Sequence, residues 1–151
     1  MAAASNINNY AQLVNKILST AVKYPTVNYA FSGNVYEINS MELTQYPVMV
    51  VSAIRPAIER ENYFEFYLTL MYIDRLQEET EEQSNADSVI IESNGIGTLS
   101  KVINEIRQDP AIVDLPYGNQ YTIYSRTFCF NDYCQAVSTD ITVIVEKASI
   151  C

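Results

Sequence analysis

Apolar and polar residues alternate along residues 63–73, the most regular stretch of the chain. One set of alternate positions is wholly apolar or aromatic: Phe64, Phe66, Leu68, Leu70 and Tyr72. The intervening positions mix Tyr, Glu and Thr with Met and Ile. Successive side chains of a strand point to opposite faces, so the pattern predicts a β-strand. We expect its first face to meet a core, and its second to be partly exposed or covered by another subunit.

Two helices are predicted where apolar residues recur at steps of three and four. The first stripe spans residues 5–23 and stops before Pro25, which cannot continue a helix. The second starts at residues 84–87 and runs to about residue 107. Gly95 interrupts it, which predicts a kink or two separate helices. The apolar positions of this second stripe are Val89, Ile90, Ile91, Ile96, Leu99, Val102, Ile103 and Ile106.

Four further strands are predicted from short apolar or alternating runs, at residues 35–38, 46–54, 121–130 and 135–146. The Val-rich run within 46–54 indicates a strand covered on both faces. The predicted connecting segments are residues 26–34, 55–62 and 112–118.

The order α, β, β, β, α, β, β predicts an α+β fold, in which two main helices pack on one face of a mainly antiparallel sheet. We expect one domain over residues 1–151, with flexible ends at 1–4 and 147–151.

Composition narrows the possible functions. The chain of 151 residues has a net charge of −9, which disfavours an electrostatic grip on nucleic acid. It contains no histidine, which removes Ser-His and Cys-His nucleophile pairs and imidazole metal ligands. Cys129, Cys134 and Cys151 match no common zinc or redox spacing, so free thiols in a reducing cytoplasm are expected. No apolar run reaches the length of a membrane span, so no membrane partner is expected.

Carboxylates are the remaining candidates for chemistry. Asp74, Asp132 and Asp140 stand at or near predicted strand ends, but nothing in the sequence brings them together. Residues 78–82 contain four glutamates, which indicate either a solvated loop or an acidic rim on an assembly. We therefore expect no catalytic residues, no cofactor and no metal.

Several features occur in a recognisable order along most of the chain. They are a helix at 5–23, Val-Tyr-x-Ile at 35–38, a Tyr-Pro strand at 46–54, the long strand closing at 72–76, Ser-Asn-Ala-Asp at 84–87, Phe128-x-Phe130, Asp132-x-Cys134, and an alternating strand followed by Cys151. This arrangement resembles the tail-terminator and tail-completion proteins of tailed bacteriophages. It looks most like the head-to-tail ring proteins of crAss-like phages.

The resemblance implies a structural virion protein of the neck or tail, not an enzyme, assembled in the host cytoplasm. Such a protein forms a homo-oligomeric ring of about 12 copies, or else about six, and heterologous contacts close the ring. Its partners would be neighbouring neck, portal and tail proteins. DNA would pass through the ring without sequence-specific binding, and a negative surface suits this because it repels phosphates.

A closed ring needs two different patches on each copy. We expect residues 55–62 and the second face of 63–73 to form one patch, and the N-terminal helix or the last hairpin to form the other. The candidate interface residues are Arg55, Arg60, Tyr63, Tyr67, Tyr72, Tyr124 and Arg126, with Glu78, Glu79, Glu81 and Glu82 as a possible acidic rim.

Two alternatives remain open. One is a non-catalytic α+β module that binds a protein or peptide through an exposed sheet edge. The more distant one is a carboxylate-dependent hydrolase built on Asp74 or Asp132.

Overall fold

A computed structural model describes residues 10–34, 37, 46–76, 81–110, 112–114, 123–129 and 133–146. Two helices pack on one face of a mostly antiparallel, six-stranded sheet, which confirms the predicted α+β class. The elements in chain order are α1 (Tyr10–Ala21), β1 (Tyr29–Ser32), β2 (Val48–Glu59), β3 (Tyr63–Arg75), α2 (Glu81–Arg107), β4 (Ile112–Asp114), β5 (Ile123–Cys129) and β6 (Tyr133–Glu146).

The sheet has the strand order β1-β2-β3-β6, and both β4 and β5 pair with the far side of β6. β1 is parallel to β2, and every other described pair is antiparallel. The central ladder joins β3 to β6 without a register shift, from Tyr63 opposite Glu146 to Arg75 opposite Cys134. The predicted alternating strand is therefore the middle of the sheet.

The main core lies between the sheet and the helices. The apolar positions predicted for β3 face this core, where Phe66, Leu68, Leu70 and Tyr72 are all buried. The helices contribute apolar side chains from one stripe each, and the strands add residues from β2 and β6. The buried helix residues are Leu13, Ile17 and Ala21 of α1 and Ile91, Leu99, Val102, Ile103 and Ile106 of α2.

A second, smaller core lies on the opposite side of the sheet, at the end where β2 begins. It contains Phe31, Val48, Val50, Met71, Ile73, Cys134 and Ala136. The first four residues of β2 are at most 1% exposed, which confirms the prediction of a strand covered on both faces. Met71 and Ile73 are also buried, so only the first half of β3 has a partly exposed second face.

Two predicted connecting segments contain strands. The linker at 26–34 holds β1, and the loop at 112–118 begins with β4. These predictions were wrong because strands of four and three residues are too short to show a period. The strand predicted at 35–38 lies outside the described residues except for Glu37, whose amide donates a hydrogen bond to the carbonyl of Asn34 at 3.0 Å.

The alternative of two separate helices at residues 84–107 was also wrong. α2 is one helix of 27 residues and begins three residues before the predicted start. Gly95 lies in its middle and is buried against the sheet. A Cβ atom at this position would stand 2.9 Å from Cγ2 of Val137 and 3.0 Å from Cδ1 of Tyr72. The glycine thus lets the helix approach the sheet closely and does not break it.

Replacing Tyr72 by phenylalanine is expected to raise the free energy of unfolding by about 1 kcal/mol, because a buried hydroxyl without a partner costs stability. Among the described residues, the Tyr72 hydroxyl has no hydrogen-bond partner. Burial, with the Asp74 carboxylate nearby, raises the pKa of Tyr72 well above its ordinary value. Urea denaturation of both proteins measures the difference. A loss of stability in the variant would show that the hydroxyl is satisfied in solution.

Candidate assembly surface

The second half of β2 is the most exposed strand segment in the described structure. Ala53 and residues 56–59 are all exposed, and Ile58 is exposed to 37%. The register against β3 shifts on either side of Arg55, which indicates β-bulges around Pro56. Proline is tolerated here because it sits in a strand at the side of the sheet. The predicted loop at 55–62 is therefore mostly strand, and the turn itself covers only residues 60–62.

One side of this segment faces away from the sheet. β1 pairs with β2 only from Val48 to Val51. Within the described part of the chain, no other strand pairs with that side of β2, so we call residues 53–59 the open edge. A strand edge presents backbone amides and carbonyls at a spacing that another strand can match. Pro56 donates no backbone hydrogen bond and the bulges interrupt this spacing, so the parts of the open edge beside them are the ones suited to strand addition from another chain.

A polar face adjoins the open edge. We call the sheet surface opposite the helices, carried by Glu65, Tyr67 and Thr69 of β3 and their register partners in β6, the outer face. Glu65 accepts a hydrogen bond from the Tyr67 hydroxyl at 2.6 Å, and the Arg60 guanidinium lies 3.3 Å from its carboxylate. Thr69 donates to Asp140 of β6 at 2.6 Å. This part of the outer face therefore combines tyrosine rings with an ion pair, a composition that is common at protein interfaces.

The structure brings together four of the predicted interface residues. Arg60, Tyr63 and Tyr67 lie at the β2–β3 turn and the start of β3, and Arg55 is opposite Tyr67 in the register. The Arg60 side chain is half exposed, and the rings of Tyr63 and Tyr67 are partly exposed. Arg60, Tyr63 and Tyr67 therefore border the open edge, which itself contains Arg55.

Two others lie on a different strand. Tyr124 and Arg126 belong to β5, where they pair with Ser138 and Ala136 of β6. The Tyr124 ring is 52% exposed. β5 lies on the opposite side of β6 from β3. The Tyr124 ring therefore belongs to a second surface, near the edge of the sheet opposite the open edge, and Arg126 follows it along the same strand.

Tyr72 does not belong to either surface. It is fully buried in the main core, so its side chain is not available to a neighbouring subunit and this prediction was wrong. Its position follows from the alternation of β3, which turns it toward the helices. Of the predicted acidic rim, Glu81 and Glu82 form the first turn of α2, while Glu78 and Glu79 lie outside the described residues.

The candidate catalytic carboxylates stand apart. Asp140 pairs with Thr69 in the β3–β6 register, whereas Asp74 lies five residues further along β3, which is about 16 Å. The odd spacing also places them on opposite faces of the sheet. Burial raises the pKa of Asp74, the Arg75 amide and charge oppose this, and Asp87 adds to it. Asp132 lies outside the described residues.

Sequence reasoning missed the apolar part of the patch. Residues 55–62 read as a loop because Pro56 and four charged residues interrupt the pattern. The signal that was present is Ala57-Ile58 between these charges, a short apolar pair that reaches the surface. Among the described residues, no group of three Asp, Glu or Cys side chains is arranged to hold a metal ion.

No protein-family model matches the chain, and no curated protein matches its sequence. Neither described helix is long and apolar enough to cross a membrane.

Proposed function

We propose that this chain is a structural subunit of a homo-oligomeric ring at the head-to-tail junction of a tailed bacteriophage. The observation that carries the proposal is the open edge of β2, exposed beside the partly exposed tyrosines of β3. Within the described part of the chain no strand covers this edge, and an edge without a partner can pair with another chain where Pro56 and the bulges do not interrupt it. Assembly into a ring is one way to cover it.

The layout of the sheet supports a heterologous contact. In a closed ring, each copy must present two different patches to its two neighbours. The open edge lies on one side of the sheet, and the strands β4 and β5 lie on the other. This favours the last hairpin, with Tyr124 and Arg126, over α1 as the second patch, because α1 packs near β1 and β2. Neighbouring copies would then meet side by side.

The negative charge of the protein supports a ring whose central channel lets DNA pass without binding it. The chain carries a net charge of −9, the outer face contains Glu65 and Asp140, and Glu146 lies next to it, opposite Tyr63. Carboxylates repel phosphates and keep a passing duplex from sticking. The proposal therefore places the outer face toward the DNA or toward a neighbouring neck protein, with the helices away from it.

Replacing Ile58 by glutamate is expected to disperse the rings into monomers without unfolding the protein. Ile58 is exposed to 37% in the single chain, so a charge there is tolerated until a neighbour buries it. Native mass spectrometry and negative-stain images of the purified wild-type protein and variant measure the change. The matched control is Val22→Glu, which places the same charge at a residue exposed to 50% outside the patch.

Three outcomes are informative. Rings from the wild type and the Val22 variant, but not from the Ile58 variant, support the proposed patch. Rings from all three proteins overturn the role of the open edge. A wild-type protein that remains monomeric at every concentration argues against self-assembly.

The same open edge favours one other function, a module that binds an extended peptide by strand addition. Backbone hydrogen bonds to residues 53–59 would supply the affinity. The two functions differ in what pairs with the open edge: another copy of the chain or a peptide. A monomeric wild-type protein that binds a peptide, together with an Ile58→Glu variant that does not bind it, would favour the peptide-binding module over the ring.

A further inference from the structure

Charged residues are distributed unevenly between the two sides of the sheet. Residues 1–36 contain Lys16 and Lys23 and no acidic residue, although the whole chain has a net charge of −9. Lys16 belongs to α1, which packs on one side of the sheet. The outer face, on the opposite side, contains Glu65 and Asp140. The two sides of this acidic protein can therefore differ in the sign of their local charge.

Three lysines lie close together on the helices. Lys16 is in α1, and Lys23 follows it by seven residues, which is about two helical turns. The Lys101 ammonium of α2 lies 5.9 Å from the centre of the Tyr24 ring, and the Tyr24 hydroxyl donates to the Lys101 carbonyl at 3.5 Å. Tyr24 thus joins the end of α1 to α2. We call Lys16, Lys23, Tyr24 and Lys101 the basic surface.

The basic surface has an excess of positive charge. The carboxylate of Glu105 contacts it, 3.4 Å from the Lys23 ammonium and 3.3 Å from the Tyr24 hydroxyl. Lys16 and Lys101 form no ion pair with a described side chain. The Lys23 side chain is 59% exposed even with Glu105 beside it. Three ammonium groups against one carboxylate make this surface attractive to a negatively charged partner.

The outer face has the opposite excess. Asp140 and the neighbouring Glu146 are exposed, and neither forms an ion pair with any side chain that the structure describes. Glu65 lies between strands on the same face and is paired with Arg60. Tyr67 adds a partly exposed ring, as Tyr24 does on the other side. The outer face therefore suits a partner with exposed positive charge.

We propose that the basic surface of one copy binds the outer face of a second copy, so that copies stack with the helices of one against the sheet of the next. Charge identifies the occupant, because one chain carries both complementary surfaces on opposite sides of its sheet. The contact joins two different patches, so it can be repeated from copy to copy.

This inference rests on the proposed ring. An exposed ion pair contributes little to stability, so single chains are expected to stay apart. A ring repeats the contact once in every subunit, and linked contacts give a much higher combined affinity. Contacts through the edges of the sheet leave both of its sides free for stacking. The inference assigns the outer face to another copy of the chain in preference to the passing DNA.

Two charge-reversed variants test the contact by complementation. The helix variant is Lys16→Glu/Lys101→Glu, and the outer variant is Asp140→Lys/Glu146→Lys. Rings of either variant carry like charges on both sides, so we expect them to stay single. Assembled rings of the two variants, once mixed, should stack in alternation, because each surface then meets its opposite charge.

Negative-stain images and sedimentation velocity of the full chain measure the stacked fraction. It is expected to fall about tenfold in each variant alone and in wild-type rings moved from about 50 mM to about 500 mM salt, since salt screens exposed charges. The mixture should recover to within about threefold of the wild type. The matched control is Ser93→Glu/Asn94→Glu, which adds acidic groups to exposed positions of α2 outside the basic surface.

Recovery in the mixture separates pairing from misfolding, because misfolded rings would not regain stacking. Variants that stack alone, a mixture that does not stack, or wild-type stacks that resist salt would each overturn the inference. Wild-type rings that stay single also overturn it and leave the ring standing, whereas a wild-type protein without rings removes both. Binding of duplex DNA that only the helix variant loses would assign the basic surface to nucleic acid instead.

Discussion

Replacing Gly95 by alanine is expected to lower the free energy of unfolding by about 2 kcal/mol, although alanine favours a helix. The added methyl group would stand 2.9–3.0 Å from Val137 and Tyr72, both in the main core. Val137 is β-branched on the fixed central strand β6, so it has little freedom to move away. Overpacking of this kind forces the helix off the sheet or the side chains off their rotamers.

Gly97→Ala is the matched control and should have the opposite sign. The position is in the same helix, two residues away, with open space around it. Alanine there is expected to stabilise the protein by about 0.8 kcal/mol through helix propensity alone. Chemical denaturation of both variants at low protein concentration measures the difference. Equal effects at the two positions would contradict the close approach of α2 to the sheet.

Replacing Leu70 by alanine is expected to cost about 2–5 kcal/mol, because it leaves a cavity in a core that cannot fully collapse. Leu70 is completely buried in the centre of β3, between the sheet and the helices. A loss of this size leaves a domain of ordinary stability close to unfolding. Thermal and urea denaturation of the variant measure the loss.

The neighbouring residue supplies the control for Leu70. Thr69 lies on the outer face, where its hydroxyl donates to Asp140. Thr69→Ala removes that hydrogen bond at an exposed site, which is expected to cost about 0.5–1.5 kcal/mol. A smaller effect for Leu70→Ala than for Thr69→Ala would show that the two faces of β3 are assigned the wrong way round.

The sequence predicted the centre of the fold well because its periods are long enough to read. β3 and β6 alternate over more than ten residues, and the apolar face of each lies in the core as expected. The ends of α1 and of α2 before Pro110 were also predicted within a few residues, while the predicted start of the first helix lies outside the described residues. In these elements, the residues that the local pattern predicts to face the core are the ones that the fold buries.

The misses have separate physical causes. β1 and β4 are too short for a period, and they are strands because β2 and β6 offer them partners. Glycine often interrupts a helix, but Gly95 is the position at which α2 packs closely against Val137 and Tyr72 of the sheet. Val89 and Ile96 are apolar without being buried, which no hydropathy pattern can distinguish from a core position.

Part of the candidate surface could be located from the sequence. Arg60, Tyr63 and Tyr67 lie near one another because they are close in sequence at the β2–β3 turn, and their role in an interface stays a prediction. The exposure of β2 beyond Val51 depends on where β1 ends, and that long-range pairing is invisible to local patterns. Tyr72 was assigned to an interface by its residue type, while its position in the alternation correctly indicated the core.

The place of β6 in the sheet has a consequence for the route by which the chain folds. β6 is the last described strand in sequence, yet it lies between β3 and the pair β4 and β5. The ladder between β3 and β6 closes loops of roughly 60–80 residues, and contacts this distant slow the folding of a domain. β2 with β3 and β5 with β6 are close in sequence, so each pair can form a local hairpin early, whereas the ladder between β3 and β6 joins distant parts of the chain. We therefore expect the joining of these two hairpins, which completes the middle of the sheet, to be the slow step of folding.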